Sequence, residues 1–221
     1  MPASNPQRTI HVLLQKHGRT FTEETGIDPE LGSPQALFSL LCVSLLCSAR
    51  IGHRNALNAS KALLTRGWST PRKLAASTWK QRVEALDAAS YVRYDERTAT
   101  MLGETAQMVL DDYRGDLRNL REAAGRVPSR ERELLKKFKG IGDVGADIFF
   151  REVQIAWTEL FPFADSKALD TAKALGLPRD PAALAKLARG RLRYTQLVAA
   201  LVRTRLERDI ENIRGTLRSA A

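Results

Sequence analysis

The sequence predicts an all-α protein. Apolar residues recur at the i, i+3, i+4, i+7 spacing of helices nearly throughout the chain, and no convincing run of alternating strand residues occurs. Helix-start residues precede several of these stripes, and glycines follow them.

The first half of the chain contains three helical stripes and two helix-start signals. Thr70 before Pro71 reads as an N-cap followed by proline at the first helical position. Thr78 with Gln81 is typical of a capping box. The stripes themselves consist of Leu37, Leu40, Leu41, Ser44, Leu45 and Ser48, of Val83 and Leu86, and of Thr98, Met101, Leu102, Thr105, Met108 and Val109.

The second half predicts five more helices. One runs from Pro128-Ser129 through Leu135 and Phe138 and is broken by Gly140 and Gly142. The others are expected over 144–160, from Ser166 to Gly176, from Pro181 onwards, and as an amphipathic helix over 191–205.

Composition excludes several classes of protein. The chain has 221 residues, enough for one large domain or two small ones, and only two cysteines. Two cysteines cannot make a disulfide scaffold or a four-cysteine zinc or iron–sulfur site. The longest apolar run, residues 36–47, is too short to span a bilayer, so we expect no membrane partner. Cys42 and Cys47 are predicted to be buried thiols, and Trp68, Trp79 and Trp157 to be core residues.

The charge favours a polyanionic partner. Lys and Arg number 35 against 25 Asp and Glu, a net charge of +10, and residues 171–221 carry +7 of it. The arginines of this segment either form a positive surface for phosphates or line a solvated helix face.

The most informative segment is LKKFKGIGDVGAD, residues 135–147. One helix stops, Gly140-Ile141-Gly142 turns, and a new helix starts at once. Glycines permit positive φ and close backbone approach, and the amides that follow are free helix N-terminal donors suited to a phosphate. The neighbouring lysines favour a nucleic-acid site over an ordinary helix corner; they are Lys136, Lys137 and Lys139.

This hairpin resembles the helix–hairpin–helix of the endonuclease III and alkylpurine DNA glycosylase superfamily. Phe161-Pro162-Phe163-Ala164-Asp165-Ser166-Lys167 resembles the family's loop with its essential aspartate, and residues 33–50, ending in Ser48-Ala49-Arg50, resemble its first core helix. The segment 91–102 resembles the family's Gly-Leu-Tyr-x-x-Lys-Ala region. The resemblance covers residues 33–177 in the family's order.

The resemblance implies a two-lobed helix–hairpin–helix glycosylase fold. A six-helix barrel lobe is expected over 37–156, and a second lobe over 1–36 plus 157–221, with a flipped base received between them. The implied function is a monofunctional DNA glycosylase of base excision repair that uses Asp165 and water. Asp165 is also a good N-cap for the next helix, and both roles can coexist.

Val144 is an informative departure from the family. Bifunctional members carry a lysine at this position that forms a Schiff base, and valine cannot do so. Two alternatives remain open: a non-catalytic DNA-binding protein that recognises damage or abasic sites, and a bifunctional glycosylase with AP lyase activity from a relocated lysine, Lys139 or Lys167.

The resemblance also implies the remaining site residues. The DNA-binding set comprises Lys136, Lys137, Lys139, Gly140, Ile141, Gly142, Val144, Gly145, Arg50 and Arg93. Arg50 stands where the family has a glutamine that fills the gap left by the flipped base, and Arg93 lies in a segment, 91–94, that either wedges into the duplex or packs in the core. Asp143 either opposes phosphate binding or is an ordinary helix N-terminal charge.

No cofactor is expected, because no cysteine follows Cys47 and the family's iron–sulfur cluster therefore has no ligands. A monovalent cation in the hairpin, at the backbone of Phe138 and Ile141, is the one ion that the resemblance implies. The expected partner is double-stranded DNA with a damaged base or an abasic site. We expect a monomer in the cytoplasm, associated with the nucleoid, or in the nucleus.

Overall fold

The computed structural model describes residues 5–28 and 30–219, and this part of the chain is helical without strands, which confirms the all-α prediction. A short 3-10 helix spans Thr158–Leu160. The α-helices, numbered in chain order, are α1 Pro6–His17, α2 Phe21–Thr25, α3 Pro34–Ser48, α4 His53–Thr65, α5 Pro71–Ala75, α6 Trp79–Ala88, α7 Asp95–Tyr113, α8 Leu117–Ala123, α9 Pro128–Leu135, α10 Asp143–Val153, α11 Ser166–Ala174, α12 Pro181–Ala188, α13 Arg191–Leu206 and α14 Ile210–Ser219.

The chain forms two compact units. The terminal unit comprises the described parts of Met1–Thr20 and Phe150–Ala221, and the central unit is Phe21–Phe149. The central unit thus begins and ends earlier in the chain than the barrel lobe expected over 37–156. Helix α2 packs on α4 and so belongs to the central unit, whereas Phe150 packs edge-on against Phe163, at 5.5 Å between ring centroids, within the terminal unit.

The central unit is built around α3. Every residue of this helix from Ala36 to Leu46 is buried, a wider burial than the predicted stripe, because α4, α7 and α8 all pack against it. The predicted helix starts are confirmed. The Thr70 side chain accepts from the amide of Lys73, and Thr78 with Gln81 forms both hydrogen bonds of a capping box.

The terminal unit is built around α13, which packs against α1, α11 and α12. The helix predicted over 191–205 is confirmed as α13, but the prediction that it is amphipathic is wrong. Its middle, from Tyr194 to Thr204, is almost wholly buried because these helices cover several of its sides. Of its four arginines, Arg191 and Arg205 lie near the ends and are exposed, Arg193 is partly buried, and Arg203 is buried.

Two other predictions need correction. The helix expected over 144–160 ends at Val153, and the buried Trp157 follows it in a turn. Trp79 is 44% exposed rather than a core residue, because its ring lies on the surface and its indole nitrogen bonds to α7. Trp68 and Cys47 are half-buried, and Cys42 is buried as expected.

Among the described residues, no helix has the length and apolar character needed to span a membrane.

Candidate functional site

The hairpin lies between α9 and α10 in the central unit. Helix α9 ends at Leu135, earlier than the predicted Phe138, and the chain turns through Gly140 at φ +89° before α10 begins at Asp143. The amide of Ile141 donates to the carbonyl of Phe138 at 3.0 Å, which closes the turn. This carbonyl is one of the two that the resemblance implies for a cation.

Two apolar side chains attach the turn to the core of the central unit. Ile141 and Phe138 are both buried, and the Phe138 ring lies 6.0 Å from the ring of Tyr113 at the end of α7. Ile141, which the resemblance places in the DNA-binding set, thus has its side chain in the core rather than at the surface. With the turn fixed in this way, the backbone on its outer side is held in place before any ligand arrives.

Contacts with neighbouring side chains leave no room for a Cβ at two of the three glycine positions of the hairpin. A Cβ at Gly140 would lie 2.9 Å from Sδ of Met101, and a Cβ at Gly145 would lie 2.6 Å from Oγ of Ser48. A Cβ at Gly142 would meet nothing within 4 Å, and its φ is not positive. Of the two glycines in the turn, only Gly140 uses the positive φ that glycine permits, and no contact within the described chain requires glycine at position 142.

Open amides follow this turn. The carbonyl of Gly142 accepts from the amide of Ala146 at 3.0 Å, so Gly142 is the N-cap of α10. Within the described residues, the amides of Gly142, Asp143, Val144 and Gly145 donate to no acceptor. Such amides, with the positive end of the helix dipole, bind an anion. Val144 itself is 44% exposed.

The basic residues around the hairpin are partly neutralised. Nζ of Lys136 lies 2.7 Å from Oδ1 of Asp143, and this hydrogen bond and charge lower the pKa of the Asp143 carboxyl. Nζ of Lys139 lies 2.8 Å from Oε1 of Glu104 on α7. Lys137 is exposed and forms no ion pair in the described part of the chain.

The exposed Asp143, in the first turn of α10, is thus paired with Lys136. A phosphate arriving at the amides would compete with the carboxylates for both lysines.

Arg50 and Arg93 are both exposed in the central unit. Arg50, after α3, lines a cavity of about 250 Å³ together with Tyr94, Arg97 and Gly140 of the hairpin. The guanidinium of Arg93 lies 5.4 Å from the ring centre of Tyr94. Tyr91 is wholly buried and donates to the carbonyl of Leu46, so the first residue of the segment 91–94 is a core residue.

Asp165 lies in the terminal unit and is only 6% exposed. It is the N-cap of α11, and its Oδ1 accepts from the amide of Ala168 at 3.0 Å. Its Oδ2 accepts from Nε of Arg151 at 3.0 Å and from Nη2 of the same guanidinium. Ser166 is the first residue of the helix, so the prediction that Asp165 caps it is confirmed.

The charge state of Asp165 follows from these contacts. Burial would raise its pKa, but the charge and hydrogen bonds of Arg151 and the amides of Ala168 and Lys167 outweigh burial and lower it. Asp165 is therefore a carboxylate at neutral pH. Because its oxygens already accept these hydrogen bonds, it is poorly disposed to take a proton from water.

Arg151 is the residue that sequence reasoning missed. A signal was present, because Arg151 interrupts the apolar run of α10, IFFREV, at a place where a buried charge needs a partner. Its partner could not be identified from the sequence, because Asp165 lies 14 residues further on in an irregular loop.

Groups of three or more His, Cys, Asp or Glu that could hold a metal ion are absent from the described residues. The amines Lys139 and Lys167 are both exposed.

Comparison with known proteins assigns no family to the chain: no family model matches it, and no curated protein matches it significantly.

Proposed function

We propose that this chain binds double-stranded DNA through the hairpin. The observation that carries the proposal is the set of four amides at Gly142, Asp143, Val144 and Gly145, which have no acceptor in the described chain. Backbone amides at a helix start bind phosphate oxygens irrespective of base sequence. The open space over Gly142 leaves room for the phosphate, and Lys137 adds an unpaired charge.

We further propose that the protein is a monofunctional DNA glycosylase with the two-lobed fold that the family resemblance implies. In this reaction the bond between C1′ and the base breaks with its electron pair going to the base nitrogen. Water then adds to the cationic C1′ and loses a proton to solvent. An ionised carboxylate stabilises the cationic sugar electrostatically, and the lowered pKa of Asp165 supports that role rather than the role of a base.

Val144 supports the monofunctional form, since valine supplies no amine for a Schiff base. A bifunctional enzyme would need Lys139 or Lys167 instead. Borohydride in the presence of damaged DNA distinguishes the two: a trapped covalent adduct would overturn the monofunctional proposal.

A specific observation favours a second candidate function, a DNA-binding protein without catalysis. The guanidinium of Arg151 already neutralises Asp165, and both side chains are buried. A carboxylate paired in this way stabilises a nearby cation less than a free one does.

Base release from a panel of damaged duplexes decides between the two candidates. Glycosylase action predicts release of at least one base, with abasic sites that alkali cleaves, and loss of release in Asp165→Asn. Arg126→Gln is the control, because it breaks an exposed ion pair, with Glu122, that lies outside both the hairpin and the basic segment 171–221. No release from any lesion, together with binding to abasic duplex, would leave the non-catalytic function.

A further inference from the structure

A continuous groove runs along the exposed face of α7 in the central unit. It consists of three cavities, of about 250, 350 and 340 Å³, and neighbouring cavities share lining residues. The first and second share Arg97, Met101 and Gly140, and the second and third share Thr100 and Glu104. The groove therefore begins at the hairpin and ends beside Trp79.

The groove is long enough for several nucleotides. From Arg97 to Gln107, which lines its far end, α7 rises about 15 Å at 1.5 Å per residue. A stacked strand advances about 3.4 Å per nucleotide, so about four nucleotides fit along this length.

Trp79 provides a fixed aromatic surface at the far end. Its Nε1 donates to Oγ1 of Thr100 at 3.1 Å and to the carbonyl of Glu96 at 3.3 Å, yet 44% of the residue remains exposed. These bonds hold the ring against α7 without covering it. An exposed, immobilised indole is a good stacking surface for a base.

Arg82 provides a buried cation in the lining of the same cavity. It is only 8% exposed; its Nε donates to the carbonyl of Ala99, and its Nη1 to the carbonyl and hydroxyl of Ser77. Its Nη2 makes no hydrogen bond, and the side chain forms no ion pair, in the described part of the protein. Nη2 is not among the atoms sealed from solvent, so this guanidinium nitrogen is available to donate to an anion.

Gly103 of α7 makes room for this guanidinium. A Cβ at position 103 would lie 2.6 Å from Nη2 of Arg82, and both residues line the third cavity. The hydrogen bonds of Nε and Nη1 of Arg82 join the turn before α6 to α7, which is a purely structural role. That role explains neither the unused N–H groups of Nη2 nor the exposed ring of Trp79.

We propose that this groove binds a short single strand of DNA, with a base stacked on Trp79 and a phosphate on Nη2 of Arg82. The inference rests on the proposed function in one respect, that DNA is the ligand. The groove adds a place for an unpaired strand next to the hairpin, distinct from the phosphate site for duplex DNA.

Glu104 opposes this binding in the resting protein. It lines both the second and third cavities, and its carboxylate holds Nζ of Lys139 at 2.8 Å. Removing its charge frees a lysine and removes a repulsion for phosphates. Glu104→Gln is therefore expected to strengthen binding of the strand, an effect that misfolding cannot mimic.

The test measures the affinity of a labelled short oligothymidylate by fluorescence anisotropy. We expect Trp79→Ala to weaken binding about tenfold, because one base loses its stacking partner, and Trp79→Phe to weaken it much less. Glu104→Gln should tighten binding severalfold and steepen its salt dependence. Leu192→Ala, an exposed apolar residue of the terminal unit, is the control and should change nothing.

Several results would overturn the proposal that the groove binds single-stranded DNA. These are no binding of the oligothymidylate by the unaltered protein, unchanged binding in Trp79→Ala, or unchanged or weaker binding in Glu104→Gln. Thymidine monophosphate that competes as well as the oligonucleotide would also overturn it, since the site would then take a single nucleotide.

Duplex binding, measured in parallel, keeps the two proposals apart. Failure to bind duplex counts against the proposed function, whereas failure to bind the single strand counts against the groove. Trp79→Ala is expected to leave duplex affinity unchanged.

Discussion

Gly142→Ala separates the fold of the hairpin from its proposed use. A Cβ at Gly142 meets no atom within 4 Å, and the residue does not have positive φ, so alanine fits without strain. Alanine restricts the unfolded chain, which stabilises by about 0.4–1 kcal/mol, and it is a poorer N-cap than glycine by a similar amount. We therefore expect the free energy of unfolding to change by less than about 0.5 kcal/mol.

The effect on DNA should be much larger. The added methyl group would occupy the space through which a phosphate reaches the amides, and a hydrogen bond to a charged group contributes about 1.5–3 kcal/mol. Loss of one such bond weakens duplex binding at least about tenfold. Anisotropy with a labelled duplex measures the affinity, and urea unfolding measures the stability.

Two further glycines serve as controls. A Cβ at Gly32 also meets nothing within 4 Å. Gly32 lies just before the start of α3, about 20 Å along that helix from Ser48, which contacts the hairpin. Gly32→Ala should therefore leave duplex affinity unchanged. Gly140→Ala should instead destabilise by about 1–3 kcal/mol, because its φ is +89° and Met101 is close. A folded Gly142→Ala variant that binds duplex as tightly as the unaltered protein would refute the phosphate site.

Three other predictions concern buried groups. Asp165→Asn should lower the free energy of unfolding by about 3–5 kcal/mol, since it leaves Arg151 buried without its carboxylate, and adding Arg151→Met should recover part of the loss in urea titrations. Burial alone would raise the pKa of Asp209, but hydrogen bonds with Lys16, His17 and Asn212 outweigh burial. The net effect lowers the pKa of this carboxyl to about 2. Asp209 therefore stabilises the fold above about pH 4, and thermal melts should show its contribution lost as the pH falls towards 2; an equal acid loss in Asp209→Asn would contradict this. Burial raises the pKa of the Cys42 thiol to about 12, so iodoacetamide followed by mass spectrometry should find Cys42 unmodified until the protein is unfolded, and rapid native labelling would contradict its burial.

Local chemistry explains what the sequence could predict. The caps at Thr70 and Thr78 depend on residues three positions away, and the turn at Gly140 depends on a backbone conformation that glycine favours. Each is encoded within a few residues, so each was predictable and each is confirmed.

The remaining features depend on residues distant in the chain. Gly145 must be glycine because Ser48, nearly a hundred residues earlier, lies against it. The burial of α13 on several sides depends on α1 and α11, which the periodicity of α13 itself does not reveal. The clamp of Arg151 on Asp165 likewise requires the loop after α10 to fold back onto that helix.

The central claim is that the open amides of the hairpin hold a DNA phosphate, and an amide-resolved NMR titration with a short duplex tests it most directly. We expect the amide signals of Gly142, Asp143, Val144 and Gly145 to shift or broaden together as duplex is added, with the effect weakening as salt rises. The amide of Gly32 should stay unchanged. If duplex binds while these four signals stay unmoved, or if no duplex binds at all, the account is contradicted.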